Sequence, residues 1–412
     1  MAESIYICYF GVREPLVQTQ VVPYLKELVE AGHKITLLTF EPAEQLRRRD
    51  AGENEAIRKE LAEASIEWRW LRYHKRPSVP ATLFDVLNAV REVRRLSKRK
   101  RFDVLHARGH VPAVMAALSR IGMRRRPKLL FDIRGFLPEE YADAGIWSEG
   151  GWLFRTAKRF ERWLMREADG FVVLTEKARA TLFPESKETG FDKQGRPVEV
   201  IPCCVDLLRR FSGGHDPLRV EFRERLGIEN RWVIIHLGAL GGLYLVNEIA
   251  DLLAAARERN PATFALFLTQ SDPMLIRPLL SERGFLDGDL FIGRADPADI
   301  EGYLHASDVG LSIVKASFAT LSRSPTKIAE YLACGLPIIA NAGVGDLDEL
   351  IEANPIGALI RHFDEVEYDR VLTEIEAFAE DHERVRAVAL NEFGLQNIGG
   401  IRYRQIYSKL LN

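Results

Sequence analysis

The pattern that most constrains this chain is an alternation, met twice, of short apolar β-rich runs with amphipathic stretches. IYICYF, KITLLTF, DVLHA, KLLFDI, GFVVLT and VEVIP come first, with helical spacing near residues 18–31, 84–99, 111–120 and 151–168. A turn-rich stretch, Ser212-Gly213-Gly214-His215-Asp216-Pro217, follows, and the pattern restarts with WVIIHLGAL, TFALFLT, DLFIG, DVGLSIV and LPIIAN. Helical spacing in this second half lies near 244–259, 297–306 and 325–333. Strand, helix and strand in repeated succession build a parallel sheet. With 412 residues and 47% apolar content the chain is too long for one ordinary core. The expected fold is therefore α/β, with two doubly wound, Rossmann-like domains at 1–208 and 209–393. A helical stretch at about 394–412 is expected to pack back on the first domain.

Open parallel sheets bind ligands beyond the carboxyl ends of their strands, and two such sheets can face each other across a cleft of strand-to-helix loops. Gly11 follows the first strand and permits close backbone approach to a ligand, but no GxGxxG accompanies it, so a plain turn fits as well. Arg134, after KLLFDI, is placed to clamp a phosphate or carboxylate, or to pair with Asp132, Glu139 or Glu140. His106 and His110, without a carboxylate between them, make a poor metal site and are expected to be structural. In the second half Gly238-Ala239-Leu240-Gly241-Gly242-Leu243-Tyr244 opens a helix whose amides suit an anion.

The most informative segment is SRSPTKIAEYLACG, Ser322 to Gly335. Ser324 is expected to cap a helix with Pro325 in its first position, which puts Lys327 and Glu330 on one face at i and i+3. A phosphate there would meet free amides, the helix dipole and the ammonium of Lys327, while a carboxylate one turn further in would accept hydrogen bonds from hydroxyls. Phosphate plus vicinal hydroxyls describes a nucleotide. A solvated Lys–Glu pair worth a few tenths of a kcal/mol is the plain alternative.

The net charge of −2 hides an asymmetry, since residues 1–200 hold 36 of the 57 Lys and Arg and 28 of the 59 Asp and Glu. The basic excess gathers in REVRRLSKRKR and RRRPK; a solvated helix face and a surface for anionic membrane lipid both fit it. No stacking aromatics are interleaved with these charges, so no nucleic-acid partner is expected. Four cysteines without a CxxC pair give neither a disulfide framework nor a zinc site. With no run of about 18 apolar residues and no signal-peptide pattern, a cytoplasmic protein is expected, peripheral at most to the inner membrane face.

Several segments together resemble the retaining nucleotide-sugar glycosyltransferases of family 4, which have the GT-B fold. They are GVREPLVQTQVVPYLKELVEAGHKITLLTF, ADGFVVLTEKARATL, VEVIPCCVD, LHASDVGLSI and SPTKIAEYLACGLPIIANAGVGDLDELI. The last resembles the donor-binding motif of two glutamates separated by seven residues. The resemblance puts Glu330 on the ribose hydroxyls and Ser324, Pro325 and Thr326 at the diphosphate and sugar. Three departures stand out. Ser322 replaces the first glutamate, Ala239 and Tyr244 stand where relatives place arginine and lysine, and Arg134 stands where many have histidine. Arg134, Lys327 and Lys315 are then the cations expected to stabilise the leaving diphosphate.

The implied reaction moves a sugar from a nucleoside diphosphate sugar to an acceptor hydroxyl of a glycan or lipid-linked molecule with retention, in polysaccharide or glycoconjugate biosynthesis. No cofactor is implied, and the absence of a DxD motif predicts metal independence. A sugar-nucleotide epimerase and a catalytically silent partner subunit are the alternatives.

Overall fold

The computed structural model describes residues 2–46, 51–76, 78–211, 215–378 and 381–412. Residues 212–214 of the turn-rich stretch lie outside that set. Contacts divide the chain into one unit of 1–202 with 398–412 and a second of 203–397.

In the first unit the described residues form seven strands: β1 (Glu3–Cys8), β2 (Lys34–Glu41), β3 (Ile66–Arg72), β4 (Val104–Arg108), β5 (Lys128–Asp132), β6 (Gly170–Val173) and β7 (Val198–Val200). They lie in the order 3-2-1-4-5-6-7, every pair parallel. The central strands are buried along almost their whole length because helices cover both faces and neither side of the pleat meets water, and β6, GFVV, reads as an unbroken apolar run. The helix Ile401–Leu411 belongs to this unit. Its Tyr403 hydroxyl donates to Asp132 at 3.0 Å, its Tyr407 hydroxyl lies 3.0 Å from His106 Nδ1, and Arg402 donates to the Val200 carbonyl at 2.6 Å.

The second unit holds β8 (Trp232–Leu237), β9 (Thr263–Leu268), β10 (Leu290–Gly293), β11 (Val309–Ser312), β12 (Ile338–Asn341) and β13 (Gly357–Ile360), ordered 10-9-8-11-12-13 and again parallel. The strand order reverses direction between β1 and β4 in one unit and between β8 and β11 in the other, the points where doubly wound sheets open a crevice. Both halves are thus doubly wound, as expected.

One side chain ties the second switch point together. Tyr331, fully buried on the helix Thr326–Ala333, accepts from the Leu237 amide at 2.8 Å and lies 3.3 Å from the Leu311 carbonyl. It lies against Gly310, where a Cβ would fall 2.5 Å from the ring. Gly310→Ala is therefore expected to cost about 1–3 kcal/mol by overpacking, read in a urea melt. Unchanged stability would show that the ring can retreat.

Candidate functional site

The site of the second unit is built by two loops that leave adjacent strands. After β8 the chain turns at Gly238, whose φ of +117° is open to glycine and strained for other residues. It runs through Gly241 and Gly242, at +74° and +64°, into the helix Val246–Arg259. That helix begins two residues after Tyr244. The loop is pinned by Leu240 N to Ser271 Oγ at 3.0 Å and by Lys315 N to the Leu243 carbonyl at 2.8 Å. Among the described residues, the amides of Ala239, Gly241 and Gly242 have no acceptor. Successive amides released by left-handed backbone make a concave donor surface for an anion.

The second loop follows β11 and ends in the helix Thr326–Ala333. Its cap is Pro325, at φ −67° and ψ 117°, with no side chain bonded to the free amides. This corrects the expected register by one residue. Ser324 does not cap the helix, because its Oγ accepts the Cys203 amide at 3.0 Å. The first turn, Thr326 and Lys327, is left with unshielded amides, the arrangement that favours an anion.

Lys327 and Glu330 are not the solvated pair that i and i+3 spacing allows; both are buried, at 6% and 8% exposure. The Lys327 ammonium has no hydrogen-bond partner among the described residues. It sits 4.4 Å from the centroid of the Tyr244 ring, and a Cβ on Gly238 would lie 3.6 Å from it. The aromatic face gives the cation a weak partner that leaves its three donors unused. Burial pulls the Lys327 pKa down to about 7, with Arg323 acting in the same direction and Glu330 opposing. Burial likewise pushes Glu330 up to about 7, against the pull of Arg210 and then Lys327. His236, in β8, is held neutral by burial and by Lys327; its Nε2 lies 3.0 Å from the Ala239 carbonyl.

Other expected residues fall as follows. Ser322 is buried in the short turn Ala319–Ser322, where its Oγ donates to the Ala319 carbonyl at 2.8 Å, so no carboxylate equivalent stands there. Lys315 lies three residues beyond the end of β11 at Ser312, and its side chain is exposed. Gly11 and Arg134 belong to the first unit. A Cβ on Gly11 would meet the buried Glu41 carboxylate at 3.0 Å and Pro42 at 3.1 Å, so the close approach there is made by the chain itself. Arg134 Nη1 lies 3.4 Å from Asp132, one of the pairings its position allows. Two cations escaped notice in the sequence. Arg323 adjoins the donor-like motif and acts on Lys327 and Tyr244, whereas Arg210 acts on Glu330 from a segment with no motif to mark it.

Residues 17–187 match the glycosyl transferase 4-like domain family. Solved structures extend the likeness over the whole chain. HepE from Anabaena, in complex with UDP and glucose, superposes with a TM-score of 0.69 at 16% identity over 99% of this chain and all of that one. A glycosyltransferase from Rickettsia africae gives 0.71 at 16% identity, covering 100% and 99%. Sucrose-phosphate synthase from Thermosynechococcus elongatus gives 0.68 at 16%, with the same coverage. No curated protein matches the chain. The fold is GT-B, and the resemblance to family 4 glycosyltransferases is borne out. Among the described residues no helix is long and apolar enough to cross a membrane.

Proposed function

We propose that this glycosyltransferase transfers a sugar from a nucleoside diphosphate sugar to an acceptor hydroxyl with retention, in polysaccharide or glycoconjugate synthesis. The observation that carries this is the buried, unpartnered Lys327 ammonium one turn before the buried Glu330 carboxylate, both at the switch point of a parallel sheet. An isolated buried cation is costly, and a diphosphate is the ligand that relieves it. HepE holds UDP and UDP-glucose on the same fold, which supports the donor class.

In the reaction proposed here the bond from the anomeric carbon to the diphosphate oxygen breaks and the bond to the acceptor oxygen forms on the same sugar face. The acceptor proton passes to the leaving phosphate. The chain's part is to hold that geometry and to receive the charge that develops. Lys327 and the amides of Ala239, Gly241 and Gly242 are assigned to the diphosphate, together with Lys315. Glu330 is assigned to the ribose hydroxyls, and Ser324, Pro325 and Thr326 to the approach of the sugar.

No metal is assigned a role and no cofactor is required in this scheme. Turnover is expected to survive EDTA unchanged; a strict loss would overturn that part. A thermal-shift panel of UDP-, GDP-, ADP- and dTDP-sugars, followed by turnover with glycan acceptors, tests the whole proposal. Binding without turnover would favour the silent subunit, to which the self-bonded Ser322 also points. Conversion of the donor with no acceptor present would favour an epimerase. A lipid-linked acceptor would place the basic surface of residues 91–101 and 124–128 against an anionic membrane.

A further inference from the structure

The first unit holds a buried cation that the donor assignment does not use. Arg108 ends β4 at the β1/β4 switch point and is 6% exposed. Its Nε and Nη1 have no hydrogen-bond partner among the described residues. In the sheet register Arg108 lies between Cys8 of β1 and Asp132 of β5, so the three side chains leave the same face. Asp132 is the carboxylate within reach of this group, and it is already taken. The Tyr403 hydroxyl donates to Oδ2 at 3.0 Å, His106 Nε2 lies 3.7 Å from the same oxygen, and Arg134 Nη1 lies 3.4 Å from Oδ1.

The buried Glu41 carboxylate, which acts on Cys8, already accepts from the Val12 amide at 2.9 Å and from the Thr39 hydroxyl, and burial pushes it toward its neutral form. Burial pushes the Cys8 thiol up to about 11 and raises the Tyr6 hydroxyl, so both are neutral near pH 7. Two guanidiniums around one carboxylate leave an excess positive charge at the carboxyl end of the sheet. Buried guanidinium nitrogens are almost always bonded, and leaving them orphaned is costly unless a ligand completes the set.

We propose that Arg108 binds an anionic group, phosphate or carboxylate, carried by the acceptor, so that the acceptor is a phosphorylated or uronic-acid-bearing molecule and not a neutral sugar. This rests on the glycosyltransferase reading above. The planar guanidinium fork matches either oxyanion in a bidentate manner, a match that lysine does not reproduce.

The test separates the acceptor from the other anion this protein is proposed to bind, the donor diphosphate. Wild type saturated with UDP is titrated calorimetrically with inorganic phosphate, with glucuronate and with glucose. Phosphate and glucuronate are expected to bind and glucose not. Arg108→Gln is expected to weaken both anions by about tenfold or more, with UDP affinity retained. If UDP-saturated wild type takes up neither anion, the proposal is overturned. If Arg108→Gln weakens UDP itself, Arg108 serves the donor diphosphate and the acceptor assignment is wrong. Should Arg108→Gln fail to fold, Arg108→Lys decides: it is expected to weaken glucuronate about tenfold through loss of the fork, and unchanged affinity overturns the proposal. Failure of wild type to bind UDP would remove the donor reading while leaving the phosphate titration of the free protein, with and without Arg108, to decide this site.

Discussion

Lys327→Met is expected to lower kcat/KM by about 10²–10³-fold while making the folded protein more stable at neutral pH. The two effects share one cause. Lys327 is buried, its ammonium bonds nothing among the described residues, and its pKa is pulled down to about 7. Between that value and the ordinary lysine range the unfolded chain holds a proton that the folded chain lacks. Stability from this group therefore rises with pH across that window. Methionine fills the same space without the charge, so the variant should lose this pH dependence and gain on the order of 1–3 kcal/mol at pH 7. A diphosphate reverses the argument in the wild type by restoring the charged form. Binding of UDP at pH 8, measured in buffers of different ionisation enthalpy, should take up about one proton; at pH 6, where Lys327 is already charged, uptake should vanish. A variant that keeps turnover within about threefold of wild type, or UDP binding without proton uptake at pH 8, would remove Lys327 from the diphosphate.

How much of this was legible in the sequence follows from what kind of signal each part leaves. Strands buried on both faces, such as TFALFL in β9, are continuous apolar runs and show themselves. The edge strand β3, IEWRWLR, alternates buried and accessible residues and carries Arg69 and Arg72, so it reads as part of a polar segment. The short edge strand β13, GALI, offers four residues and no turn signal strong enough to mark it. In the site, the spacing of Lys327 and Glu330 was visible, because i and i+3 positions share a face whatever surrounds them. Their burial and electrostatics were not, because other segments of the unit bring Gly238 and Tyr244 against Lys327 and the charge of Arg210 to bear on Glu330. The cap slipped by one residue for a similar reason. Ser324 has a better use for its hydroxyl in the Cys203 amide, and Pro325, with extended ψ, closes the turn alone. Arg108 reads as the last residue of a strand; only the structure shows that it is buried beside Cys8 and Asp132 with Nε and Nη1 unpartnered among the described residues.

Glu330→Gln is expected to raise the donor KM by about 10–100-fold with a smaller change in kcat, because a carboxylate accepting from hydroxyls is worth about 1.5–3 kcal/mol in hydrogen bonds to a charged group. Glutamine keeps one acceptor oxygen but turns donors toward hydroxyls that already donate. The stability of the free protein moves the other way. With Glu330 pushed up to about 7 by burial, the folded chain keeps a proton that the unfolded chain has released between pH 4.5 and about 7. The wild type therefore loses stability from this group as pH rises through that interval, and the glutamine variant does not. The assignment to ribose is separable from a general loss of affinity by comparing UDP with 2′-deoxy-UDP. Wild type should prefer UDP by about tenfold or more, since the deoxy compound leaves a buried carboxylate partly unpaired. In Glu330→Gln that preference should collapse while the dependence on Lys327 remains. A variant that still discriminates as the wild type does would mean that Glu330 holds something other than the ribose. Its burial would then be opposed only by the more distant pull of Arg210 and Lys327, with no bonded partner for either charged group among the described residues.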